Sequence, residues 1–126
     1  MHYNIHTHHF SNNSEIVELV NQYPNEVNTE LPNFTVGIHP WYLNEVTFLE
    51  DLAVIENAIQ QPNCKAVGEC GLDKRIETSI EIQKKILIPQ LLLAEKYKKP
   101  VILHCVAAYQ EIIEIKKELK LTIPMV

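Results

Sequence analysis

At 126 residues, 46% of them hydrophobic, the chain is one domain's worth of sequence, with enough apolar material to bury a core and no sign of disorder. Its net charge of −5, with Arg75 as the only arginine, argues against a broad electrostatic nucleic-acid surface, since neutralising phosphates takes clustered Lys and Arg. No apolar stretch approaches the roughly 20 residues of a membrane span, and the N-terminus enters a strand pattern rather than a signal peptide, so a soluble cytoplasmic protein is expected.

Residues 3 to 8, Tyr3-Asn4-Ile5-His6-Thr7-His8, read as a strand. His6 and His8 are two residues apart, so on a strand they project from one face and can reach one ion together. With His2 and His9 nearby, the cluster also fits a merely solvated group of histidines. Asn13 or Ser14 can cap a helix carrying Ile16, Val17, Leu19 and Val20, which ends before Pro24. Residues 33 to 38 make a second strand that stops at His39-Pro40-Trp41, and a second helix is expected from about 46 to 60, with Phe48, Leu49, Leu52, Ile55 and Ile59 at helical spacing and Pro62 as its stop.

A third strand covers 65 to 69 and ends on Glu69, followed by a loop through Gly71-Leu72-Asp73. A long helix then runs from about 78 to 97, and Pro89 inside it predicts a kink. The lysines at 84, 85, 96, 98 and 99 are interspersed with acids in this pattern and fit a solvated face. A fourth strand, 100 to 104, ends on His104; a helix covers about 107 to 119, and Leu121 to Val126 begins a fifth strand. Taken singly, Glu69 fits an ordinary strand-end acid and His104 a satisfied core histidine. Cys64, Cys70 and Cys105 include no C-x-x-C pair, which points to reduced thiols used as small apolar filler. Short strands alternating with helices imply parallel strands joined by right-handed crossovers.

Four segments stand in order along this pattern: Ile5-His6-Thr7-His8, Val36-Gly37-Ile38-His39-Pro40, Val67-Gly68-Glu69-Cys70-Gly71-Leu72-Asp73 and Pro100-Val101-Ile102-Leu103-His104. Through them essentially the whole chain resembles the TatD-related metal-dependent hydrolases, and Gln83, Gln90, Leu91 and Ala94 fit the same pattern. The resemblance implies an α/β fold, an incomplete TIM-type barrel of about four to five βα units, with residues 1–126 as a single domain. It implies one or two divalent ions, with zinc, manganese, magnesium, nickel and iron not distinguished by imidazole and carboxylate ligands. The implied reaction is phosphodiester cleavage, as a DNase or exonuclease acting on nucleic acid. His6 and His8 would hold one ion, His104 would help hold a second, and Glu69 would bridge them as the catalytic carboxylate. His39 and Asp73 would line the substrate-binding rim, and Trp41 fits either a base-stacking residue or a packing anchor. PHP-type phosphoesterases also open with His-x-His, but the Gly-Ile-His-Pro and Gly-Glu-Cys-Gly-Leu-Asp segments favour the TatD-like assignment.

Three departures from the family pattern bear on this expectation. Asn4 stands where the family usually has an aspartate, and Val106 where many relatives have an arginine that would contact phosphate. The third is that Val126 falls within the expected fifth strand, ahead of the family's next metal histidine and its later catalytic aspartate. A half-barrel would expose strand edges, so a homo-oligomer or completion by a missing C-terminal half is expected. The alternative to an impaired hydrolase is a non-catalytic half-barrel remnant or association module.

Overall fold

In the computed structural model, which describes residues 1–126, five strands form one sheet whose spatial order follows the chain. These are β1 (His2–Thr7), β2 (Ile16–Gln22), β3 (Phe34–Val36), β4 (Cys64–Asp73) and β5 (Val101–Val106), and every neighbouring pair is parallel. Three helices follow the last three strands: α1 (Phe48–Ala58), α2 (Ile80–Tyr97) and α3 (Tyr109–Glu118). Beyond α3 the chain returns alongside β5, where Val101 pairs in parallel with Met125 and the Leu103 N–H donates to the Val126 carbonyl at 2.7 Å. Of the strand expected over Leu121 to Val126, only this isolated bridge beside β5 forms, and the segment is not a strand of the sheet.

The strand at Ile16–Gln22 corrects the helix expected there. Ile16, Val17, Leu19 and Val20 suit a helical face, but three of the four are β-branched, and the segment lies between two strands with open backbone groups to pair. The supposed cap acts otherwise as well: the Asn13 side chain accepts from the Glu15 N–H at 2.9 Å, a local turn that leads into β2. The β1–β2 link carries no helix, and the β2–β3 link holds only a single 3₁₀ turn at Pro24–Glu26.

β4 is longer than the reading of 65 to 69, and its continuation through Gly71-Leu72-Asp73 corrects the loop expected there. Glycine signals a break in sequence, but here it permits close approach: a Cβ on Gly71 would overlap the His104 carbonyl of β5, and one on Gly37 would meet Gly68 backbone atoms at 2.8 Å. Between Gly68 and Cys70 the pairing with β5 skips a residue, so Glu69 is the extra residue of a bulge.

The core lies on the β3–β5 side. Phe34 and Val36 of β3, Val67 and Leu72 of β4, Ile55 and Ile59 in and after α1, and Ile86, Leu87 and Leu91 of α2 form one buried cluster. Pro89 sits inside α2 without ending it. The Ser79 side chain caps the helix by accepting from the Ile82 N–H. Two buried glutamines on α2, seven residues apart and so on one face, fasten backbone rather than side chains. Gln90 accepts from the Ile38 N–H at 2.8 Å, and Gln83 accepts from the Asp73 N–H at 2.7 Å while donating to the Asp73 carbonyl at 2.9 Å. Both clamps grip the chain at or next to residues of the candidate site, and no helix is long and apolar enough to cross a membrane.

Candidate metal centre

The carboxyl-terminal ends of β1, β3, β4 and β5 bring His6, His8, His39, Glu69, Asp73 and His104 together. Glu69 and His104 lie within their strands rather than at the ends, because β4 and β5 run on to Asp73 and Val106. Ligand-capable atoms of His6, His8 and Glu69 all lie within 4.8 Å of one another, and so do those of His39, Glu69 and His104. Glu69, re-aimed by the bulge, belongs to both groups. His2 and His9 belong to neither.

Hydrogen bonds assign roles to the imidazole nitrogens. His8 Nδ1 lies 3.2 Å from the Asn21 carbonyl, which can only accept, so Nδ1 carries the proton and Nε2 keeps a lone pair for a cation. The Asn21 side-chain amide reaches His6 Nδ1 at 3.2 Å. Its other end meets the Thr35 hydroxyl at 2.9 Å, and that hydroxyl lies 2.7 Å from the Gly68 carbonyl, next to Glu69. A polar relay through β2 and β3 thus joins His6 to the backbone that carries Glu69. Neither Asn21 nor Thr35 stood out in the sequence, and Asn21 lay inside the misread helix.

His39 is arranged differently. Its Nδ1 accepts the Trp41 N–H at 3.0 Å, which leaves the proton on Nε2, facing Glu69 Oε1 at 3.5 Å. Burial first, and the neighbouring His104 second, hold its pKa down at about 4, so the ring is neutral near pH 7. A neutral ring with an N–H directed into the site suits donation to an oxygen ligand.

Asp73 is 3% exposed and its carboxylate is fully engaged. Oδ2 accepts from Trp41 Nε1 at 2.8 Å and faces His104 Nε2 at 2.9 Å, and Oδ1 accepts from the Arg75 N–H at 2.8 Å. Burial would raise this carboxyl's pKa, but the bonds from His104, Trp41 and the Arg75 amide outweigh it and hold it at about 2. With Nε2 turned to Asp73, His104 keeps Nδ1 as its unengaged nitrogen. Cys70, beside Glu69, is pushed up to about 12 by burial and then by the Glu69 charge, and it belongs to neither ligand group.

The donor set fits a divalent cation: imidazoles and a shared carboxylate, one histidine locked in the ligating tautomer, and no cysteine in either group.

A family profile described as TatD related DNase matches residues 2–125. Among curated proteins, the chain is 35% identical over 82 residues to the 3'-5' ssDNA/RNA exonuclease TatD of Escherichia fergusonii, a match spanning 64% of this chain and 31% of that protein. It is 32% identical over 84 residues to the human 3'-5' RNA nuclease TATDN2, spanning 65% of this chain and 11% of that one. The chain thus matches about a third or less of the length of these relatives. Among solved structures, the Escherichia coli TatD homologue YJJV superposes with a TM-score of 0.73 at 23% identity, over 95% of this chain and 56% of the other. That likeness identifies the five parallel strands and three helices as part of a TIM-type barrel. By profile, sequence and fold together, the chain belongs to the TatD related DNase family.

Proposed function

We propose that this chain carries the metal-binding half of a divalent-metal-dependent phosphodiesterase acting on nucleic acid. The observation that supports this most is the place of Glu69, shared between two groups of ligand-capable atoms drawn from β1, the segment after β3, and β5. His6, His8 and Glu69 would hold one ion, and Glu69 with His104 would contribute to a second. Divalent ions held there supply charge neutralisation and Lewis acidity to a phosphodiester. His39, with its Nε2 proton facing the site, would donate to a phosphate oxygen. Asp73, read from sequence as a rim residue, is buried with both oxygens engaged; its proposed role is to orient His104 and Trp41.

We also propose that the exposed edge of β1 pairs in solution, with a second copy or with further strands of the barrel. Its proposed setting is the reducing cytoplasm, where Cys64, Cys70 and Cys105 stay free thiols.

The test is metal stoichiometry by plasma mass spectrometry after loading with zinc or manganese, followed by a nuclease assay with the loaded protein. One or two equivalents per chain, falling when His6 and His8 become Ala, together with cleavage lost in Glu69→Ala, is the expected result. No bound metal would point instead to a non-catalytic remnant.

A further inference from the structure

Beside the candidate metal centre lies a cavity of about 550 Å³, within the roughly 300–1,000 Å³ range of small-molecule sites. One wall is the segment after β2, Tyr23 to Glu26; the other is the segment after β3 and the start of α1, from Ile38 to Asp51. His39 lines the cavity while its Nε2 faces Glu69 at 3.5 Å, so cavity and metal centre share a wall.

The lining selects a ligand chemistry. Tyr23 and Tyr42 meet edge to face at 5.1 Å, and Tyr42 is 60% exposed, which leaves aromatic surface available for stacking. The polar complement is Glu26, Glu50 and Asp51 with the amides of Asn25 and Asn44, and no Lys or Arg lines the cavity. A phosphate placed here would meet three carboxylates and no cation. A nucleoside is neutral, has a face that stacks on tyrosine, and carries hydroxyl and amine donors for an acceptor-rich wall.

We propose that this cavity is a nucleoside subsite, taking the base and ribose that adjoin a phosphodiester at the metal centre. The role of the adjoining phosphate rests on the phosphodiesterase reading above; binding of the nucleoside does not. The subsite places the phosphate and the sugar-base unit in separate compartments of opposite electrostatic preference, which fixes which group faces the ions.

Calorimetric titration of the full chain with adenosine, a nucleoside with no phosphate, isolates the subsite. The expected result is saturable binding of one adenosine per chain, weakened roughly tenfold or more by Tyr42→Ala, the loss of one stacking contact, and retained by Tyr42→Phe. Inorganic phosphate is expected not to compete. Tyr42 is exposed, so circular dichroism should show its variants folded. No adenosine binding at millimolar concentration, or binding unchanged in Tyr42→Ala, would overturn the proposal. Cleavage of bis(p-nitrophenyl) phosphate, a diester with no base, is measured on the metal-loaded protein in parallel. Cleavage without adenosine binding overturns the subsite alone; adenosine binding without cleavage overturns the phosphodiesterase reading and leaves the nucleoside site standing.

Discussion

Asn21 acts on two histidines by two routes. Its main-chain carbonyl fixes the His8 tautomer, and its side-chain amide reaches His6 Nδ1. Asn21→Ala removes only the second route, in which the amide N–H donates to His6 Nδ1 and so leaves the ring proton on Nε2. A cation must displace that bond to reach the ring, and the variant is expected to bind a divalent ion several-fold more tightly. Competition against a chromophoric chelator measures this, and an affinity indistinguishable from wild type would show the relay to be incidental. His6, His8, Glu69 and His104 were legible in the sequence because their side chains carry the chemistry themselves and each stands near the end of an apolar run. Asn21 and Thr35 were not, because an amide and a hydroxyl gain such a role only from the strand that lies beside them.

At the scale of elements, α2 holds the site from behind. Gln83 and Gln90 accept from the backbone N–H groups of Asp73 and Ile38, which lie at a strand end and in the segment after β3. Replacing either glutamine with Leu keeps most of its volume but takes this acceptor from a buried donor, at an expected cost of about 1–3 kcal/mol. The two share no partner, so the losses should add in the double variant. Urea unfolding midpoints check both statements, and a double variant as stable as wild type would show that the clamps are dispensable. Helical periodicity made all three helices legible, as apolar runs did β1, β3 and β5. It failed at Ile16–Gln22, where spacing fits either structure and only the neighbouring strands decide. It failed again at Gly71, since local sequence does not distinguish a glycine that breaks a strand from one that lets two strands close together.

For the whole molecule, the alternation of strands and helices was enough to imply parallel strands, while the barrel came from the resemblance to the TatD-related hydrolases. The alternation did not reveal that β1 and β2 lack helices behind them. Tyr3 and Ile5 of β1 are 73% and 71% exposed, on a strand with one unpaired edge. Sedimentation velocity is therefore expected to show a dimer or larger species; a compact monodisperse monomer at high concentration would contradict the proposed edge pairing.

The one-sided core has a further consequence. Phe34, Leu72, Leu87 and their neighbours anchor β3 to β5, whereas no residue of β1 or β2 belongs to that cluster. The ladder and the Asn21 relay remain to hold β1 in place. Amide hydrogen exchange should then be layered, with β1 and β2 losing protection long before β4, through local openings that leave the core folded. Since His6 and His8 ride on this first-opening layer while Glu69 is rooted in the last, a cation bound among them would act as a staple across the layers. Chelation should accelerate exchange in β1 and leave β4 unchanged, making strand docking and ion binding two readings of one equilibrium.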